Sequence, residues 1–118
     1  MVNRLKSKII IKACIKIADH NSLPISILKK GDDERGTILL RIINRDNKSL
    51  FFRSKFELNI NLDWQIAGRD NLLDLLESNE FIEKEKKIDT DIWIIEIEKY
   101  SEDIDIIKLF DFNNFSLD

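Results

Sequence analysis

Nine basic residues in the first half of the chain have the types and spacing of a binding surface. Four of them recur every four residues and form one stripe on a helix: Arg4, Lys8, Lys12 and Lys16. The other five surround or lie within a phenylalanine-rich segment, Phe51–Phe56: Arg41, Arg45, Lys48, Arg53 and Lys55. Aromatic rings interleaved with cations can stack on bases and hold phosphates. The alternative is that the cations only face water while Phe51 and Phe52 enter the core from opposite sides of a strand.

Charge is distributed unevenly along the chain. Residues 1–59 contain 13 Lys/Arg and 6 Asp/Glu, a net charge of +7. Residues 60–118 contain 6 Lys/Arg and 16 Asp/Glu, a net charge of −10. Such a chain either neutralises itself on folding or displays two surfaces of opposite sign. The overall charge of −3 and the pI of about 5.2 argue against a general binder of polyanions.

The residues of nucleophilic and metal chemistry are scarce. The chain has one cysteine and one histidine, Cys14 and His20, too few for a zinc site built from these ligands. On one helix they lie about 240° apart around the axis, so they cannot form a dyad. Cys14 falls on the apolar side of that helix and is predicted to be a small core residue. His20 is predicted to lie at the helix end, where a cation favours the dipole.

The sequence also gives little support for a phosphate-binding loop or for a catalytic pair of carboxylates. Gly31 and Gly36 have the spacing of a P-loop, but Thr37 stands where its lysine belongs, so we expect a solvated hairpin loop. Glu96 and Glu98 share one strand face about 7 Å apart, within the range of an inverting glycosidase. Charged residues at the end of a strand are more commonly solvated edges.

Length and composition indicate a single globular domain. The chain has 118 residues, of which 43% are hydrophobic and 35% charged. No apolar run approaches the roughly 20 residues needed to span a bilayer, so we expect no membrane association through a span. The single cysteine excludes an internal disulfide and fits the reducing cytoplasm.

Hydrophobic periodicity predicts the elements. Residues 4–20 read as a helix, and four strand candidates follow at 24–30, 37–44, 49–56 and 62–67. A second helix is predicted over 71–86, with Leu72, Leu75, Leu76 and Ile82 on its core face. The segment 92–98 begins apolar on both faces, as in a central strand, and Trp93 should therefore be buried. The acidic, aromatic tail is expected to add a strand or helix, or to lie loosely against the core.

Several short segments resemble a known family. They are Arg4-Leu5-Lys6-Ser7, Lys12-Ala13, Lys30-Gly31-Asp32 with Gly36, Trp64, and the run Asp89–Glu98. In order and spacing they resemble the alphaproteobacterial domain of unknown function 1491, over about residues 3–99. The chain departs from that pattern at Ile88 and Thr90, where the family has Phe and Pro, and at Lys29-Lys30, where an arginine pair is common. The resemblance implies one compact α/β-type domain in a bacterial cytoplasm, and it carries no activity, cofactor or catalytic role over to any numbered residue of this chain.

These observations combine into one prediction of fold and function. We predict an α+β domain over residues 1–99, with an N-terminal helix, a four-stranded antiparallel meander, a crossover helix and a final central strand, followed by the tail 100–118. The favoured function is a small, non-enzymatic cytoplasmic interaction module without a cofactor, which binds a protein partner or a second copy of itself. The alternative is a nucleic-acid- or ribosome-associated protein that uses the basic half, and an enzyme of unknown class comes third.

Overall fold

A mixed five-stranded sheet forms the centre of the structure. The computed structural model describes residues 5–57, 61–69 and 71–112. In chain order the elements are α1 (Ser7–His20), β1 (Ile25–Lys29), β2 (Ile38–Ile43), β3 (Ser49–Glu57), β4 (Asn61–Ile66), α2 (Leu75–Ile88), β5 (Trp93–Glu98) and α3 (Ile106–Leu109). The strand order across the sheet is β1-β5-β2-β3-β4. The predicted α+β class is confirmed.

The last strand is central, as its composition predicts. β5 pairs antiparallel with β1 and parallel with β2. Trp93, Ile94 and Ile95 are all buried, although neighbouring side chains point to opposite faces. A strand that is apolar on both faces is stable only where both faces are covered, and this position provides that cover.

The predicted four-stranded antiparallel meander is only partly matched. β2, β3 and β4 form a three-stranded antiparallel meander, but β5 lies between β1 and β2. β1 is short and has Ser26, Ile27 and Leu28 exposed, so it suits an edge of the sheet. β5 has the apolar residues that an inner position requires, and it takes the place beside β2.

The segment between β1 and β2 is a packed crossover instead of the predicted solvated hairpin loop. It passes over the start of β5, where the Asp32 amide donates to the Asp91 carbonyl at 2.9 Å and Trp93 Nε1 donates to the Asp32 carbonyl at 2.6 Å. A Cβ atom on Gly31 would lie 2.3 Å from the Asp91 oxygen. Glycine is therefore required here because the two backbones approach so closely.

Two apolar cores lie on opposite faces of the sheet. The larger one contains α1, the segment 104–112 and residues such as Leu40 and Ile95. The smaller one lies under α2 and contains Leu39 and Ile94, which alternate with the first pair along the same strands. Within the described residues, no helix has the length and apolar character needed to cross a membrane.

The second helix begins later than predicted, and its leucines are not where the sequence analysis placed them. Asp74 is the N-cap of α2 and forms a capping box with Glu77. The residues before it are not helical, and Leu73 forms an isolated antiparallel bridge with Ser49 through two backbone hydrogen bonds of 2.8 Å. Leu73 is therefore buried. Ile82 is buried as predicted, but the other three predicted core residues are exposed: Leu72, Leu75 and Leu76.

Part of the predicted tail packs into the larger core. Asp105 caps α3 by accepting from the Lys108 amide, and Phe110 and Phe112 are buried. Trp64 Nε1 donates to the Phe110 carbonyl at 2.9 Å, which ties the segment to β4. The extra helix was one of the alternatives that the sequence analysis left open. Residues 113–118 and Arg4 lie outside the described residues.

Candidate interaction surfaces

The stripe of lysines on α1 faces outward. Ile10, Cys14 and Ala18 bury the inner side of the helix, whereas the opposite side is exposed. Four of its exposed residues are what we call the lysine face: Lys8, Ile9, Lys12 and Lys16; Asp19 and His20 are also exposed, at the C-terminal end of the helix. Ile9 keeps 41% of its surface accessible among these cations. The face thus combines an apolar side chain with three positive charges along about two helical turns.

Backbone contacts hold the N-terminal end of the lysine face in place. The N-cap of α1, Lys6, provides no side-chain cap, and the crossover provides the acceptors instead. The Ser7 amide donates to the Glu34 carbonyl at 3.1 Å, and the Lys8 amide donates to the Asp33 carbonyl at 2.9 Å. These carbonyls satisfy two of the four free amides that begin a helix. The lysine face therefore starts from a fixed helix end.

The lysine face is not neutralised by the described acidic half of the chain. None of its three lysines forms an ion pair with a residue of the described ranges, whereas the neighbouring Lys6 pairs with Glu34 at 3.7 Å. The α2 carboxylates are on the other side of the sheet. Three of them pair there: Glu77 with Arg69, Glu83 with Lys86 and Glu85 with Arg53.

The second group of predicted binding residues is dispersed by the fold. Arg41 is only 6% exposed, and its Nη1 lies 3.2 Å from Glu96 Oε1. Its Nε donates to Ser49 Oγ at 2.9 Å, and its Nη2 is buried without a described partner. The Arg41 side chain thus links β2 to β5 and is not available on the surface. This differs from the expectation that the cations of this segment stay in water. Arg53 makes a 2.7 Å pair with Glu85 of α2.

The remaining cations of the β2–β3 region do not form a base-stacking platform. Arg45, Lys48 and Lys55 are exposed. The Arg45 guanidinium lies 5.7 Å from the centre of the Tyr100 ring, within cation–π distance. Phe51 packs under α2, while Phe52 lies against the larger core on the other face. The rings therefore stabilise the two cores, as the simpler interpretation of this segment expects.

The groups considered for catalysis are held in structural roles. Cys14 is buried, and desolvation raises the pKa of its thiol well above the usual range, which keeps it protonated. Glu96 binds Arg41, and Glu98 accepts a hydrogen bond from the Tyr100 hydroxyl that raises the pKa of the tyrosine. In the described ranges, no three His, Cys, Asp or Glu side chains cluster as a metal site would require.

A small apolar cleft lies between α3 and the end of the β2–β3 hairpin. Its volume is about 280 Å³. Six apolar residues form its floor and walls: Ile42, Leu50, Phe52, Leu72, Ile106 and Ile107. Four polar residues surround its mouth: Asn44, Lys99, Glu102 and Asp105. We call this the α3 cleft. No local sequence pattern indicates this cleft, because its residues come from four separate segments of the chain.

Comparisons with known proteins agree on one family. A family model described as "Protein of unknown function (DUF1491)" matches residues 5–104. A crystal structure of a DUF1491 protein from Caulobacter crescentus is 25% identical, with a TM-score of 0.69 over 80% of this chain and 86% of that one. An NMR structure of a DUF1491 family protein from Caulobacter crescentus is 22% identical, with a TM-score of 0.71 and coverage of 87% and 92%.

A third relative has the same fold. A solution structure from A. tumefaciens is 24% identical, with a TM-score of 0.65 over 81% of this chain and 86% of that one. No curated protein matches the chain. The solved structures thus share the fold of this chain. A function for this chain has to be inferred from its own surfaces.

Proposed function

Because the chain belongs to the DUF1491 family, whose members are described only as proteins of unknown function, we propose its function from its own surfaces. We propose that it is a non-enzymatic interaction module that binds an acidic protein surface through the lysine face of α1. The free, buried Cys14 supports a place for this function in the reducing cytoplasm.

One observation carries this proposal. Lys8, Lys12 and Lys16 are exposed on one side of α1, and no carboxylate of the described residues pairs with them. Ile9, which is half-exposed between them, supplies apolar area that a protein partner would remove from water. Interfaces commonly combine a buried apolar anchor with a charged rim, and the lysine face has both components.

A protein partner is favoured over nucleic acid for three reasons. The lysine face provides three cations, while specific protein–DNA complexes commonly use about 6–10 phosphate contacts. The second basic group does not enlarge that surface, because Arg41 is buried and Arg53 is paired with Glu85. Its exposed members lie elsewhere: Arg45 and Lys48 at the β2–β3 turn, and Lys55 on the sheet face that α2 covers. The net charge of −3 also repels a long polyanion. An acidic protein surface needs only the local charge of the lysine face.

Capture from a lysate of the cells that produce the protein tests the proposal. The bait is the full chain, and the test variant carries Lys8→Glu, Lys12→Glu and Lys16→Glu. A matched control carries Lys84→Glu and Lys87→Glu, which change exposed lysines of α2 on the opposite side of the sheet. Every capture is repeated after nuclease treatment, and the circular dichroism melting curve of each variant is recorded.

The expected result is a protein captured by the wild type and by the α2 control but lost from the lysine-face variant. Nuclease treatment should leave that capture unchanged. Capture that depends on intact nucleic acid would instead support the nucleic-acid alternative. A partner retained equally by both variants would show that the lysine face is not the binding surface.

A further inference from the structure

The α3 cleft has the properties of a receptor for a single inserted side chain. Binding sites for small molecules typically have volumes of about 300–1,000 Å³, and the 280 Å³ cleft lies just below that range. Its floor and walls are formed by Ile42, Leu50, Phe52 and three further apolar residues. Such a cleft suits the apolar anchor of a protein partner better than a complete cofactor or substrate.

The outward charge at the mouth of the cleft is negative. The Glu102 side chain is 91% exposed, and Asp105 is exposed beside it. Lys99, the cation among the described residues that line the cleft, has only 24% of its side chain exposed and lies 3.8 Å from Glu102. The acidic residues at the mouth would therefore attract a partner segment in which cations flank the inserted apolar side chain.

The lysine face of the same protein has the complementary arrangement. Ile9 is an exposed apolar side chain flanked by Lys8, Lys12 and Lys16. The cleft offers an apolar floor with acidic residues at its mouth. Charge and polarity thus match between two surfaces that lie on different parts of one chain.

The positions of the two surfaces allow this contact to close symmetrically. α1 and the segment that contains α3 pack against the same core cluster, so both lie on one side of the sheet. In a two-fold dimer formed through that side, the lysine face of each copy would meet the α3 cleft of the other. Each contact is then made twice, which doubles the buried area without new surface chemistry.

We propose that the lysine face docks into the α3 cleft of a second copy of this chain, with Ile9 as the inserted anchor. This inference rests on the proposed function and names the acidic surface that the lysine face binds. The ion pairs are individually weak when exposed to water, so they select the register of the contact. Burial of Ile9 and of the cleft walls supplies most of the affinity.

Light scattering after size exclusion, over a wide concentration series of the full chain, measures the association. The wild type should approach twice its mass of 13.9 kDa as concentration rises, and added salt should shift the equilibrium towards monomer. Ile9→Ser should weaken the association. Leu76→Ser, a matched control at an exposed site on the opposite side of the sheet, should not.

A charge exchange gives the decisive test. One variant carries Lys8→Glu, Lys12→Glu and Lys16→Glu, and the other carries Glu102→Lys with Asp105→Asn, because asparagine also caps helices. Each variant alone should self-associate at least about a hundredfold more weakly than the wild type. An equimolar mixture should form a dimer again, since both contacts of the mixed pair then join opposite charges.

Two outcomes would overturn the inference. One is a wild type that stays monomeric at the highest soluble concentration. The other is a dimer that neither charge variant weakens, which would place the contact elsewhere, for example at the β1 edge. The wild type could stay monomeric while the lysine-face substitutions still abolish capture of a protein from the lysate. That result would overturn this inference but leave the proposed function standing, so the two failures are distinguishable.

Discussion

Replacing Trp93 with alanine should remove a large part of the stability of this fold. Trp93 begins the central strand β5, is 3% exposed and belongs to the larger core. Its ring also fixes the crossover between β1 and β2, because Nε1 donates to the Asp32 carbonyl at 2.6 Å. The substitution would therefore open a cavity beside the sheet and release the loop that holds the start of α1.

The expected cost follows from burial and from this hydrogen bond. Truncation of a buried tryptophan to alanine costs about 3–5 kcal/mol. The Asp32 carbonyl still accepts from the Gly36 amide at 3.3 Å, so loss of the indole donor adds about 1 kcal/mol or less. Proteins of this kind are stable by only about 5–15 kcal/mol in total. The total is about 3–6 kcal/mol, and at about 4 °C per kcal/mol for a chain of this length the melting temperature should fall by about 12–24 °C.

Chemical and thermal unfolding, followed by circular dichroism, measure this cost. Trp93→Phe is the matched variant, because it retains most of the apolar volume and removes the donor. We expect it to lose about 1–2 kcal/mol, well below the alanine variant. An alanine variant that melts within about 2 °C of the wild type would show that Trp93 is not a buried residue of a central strand.

Two further predictions concern buried groups. Glu96→Leu should destabilise the protein by about 2–4 kcal/mol in urea unfolding because it leaves the Arg41 guanidinium buried without its partner. Adding Arg41→Leu should recover most of that loss, and an equally unstable double variant would contradict the argument. Burial raises the pKa of the Cys14 thiol, so above about pH 8.5 the unfolded chain loses this proton first and the free energy of unfolding falls by about 1.4 kcal/mol per pH unit. Cys14→Ala should remove that part of the slope, and Ellman's reagent should react with the wild type only on unfolding; rapid reaction of the folded protein would show an accessible thiol.

Local hydrophobic patterns predict those elements that can be recognised without knowing which other segments they pack against. The three- and four-residue spacing of apolar residues indicates the first helix, which the structure places at Ser7–His20. The run that begins at Trp93 is apolar on both faces, and this alone requires an inner strand. In both segments the information lies within one element, so the sequence is sufficient.

Strand order and residue register depend on contacts between distant segments. The pattern of β1 is compatible with a place beside β2, but in the sheet β5 occupies that place and β1 lies at the edge. Arg41 has the sequence context of a surface cation, yet the pairing of β2 with β5 places it opposite Glu96. Periodicity within a segment contains no information about which residue lies across from it.

The start of α2 shows a different kind of error. The spacing of Leu72, Leu75 and Leu76 suggests a helical core face, but Asp74 and Glu77 have the spacing of a capping box. That signal was present in the sequence and outweighs the hydrophobic pattern. The α3 cleft had no comparable signal, because it forms only after the segment 104–112 packs beside the hairpin.

Lysine acetylation mapped by mass spectrometry tests most directly whether the lysine face is the interaction surface. The protein is labelled briefly as a dilute purified sample and in a lysate of the cells that produce it. The rates at Lys8, Lys12 and Lys16 are then compared with those at the exposed lysines of α2, Lys84 and Lys87. We predict that the lysate slows acetylation of the three α1 lysines severalfold and leaves the α2 lysines unchanged. Equal rates at both sets in the two samples would contradict the proposal that α1 carries the binding surface.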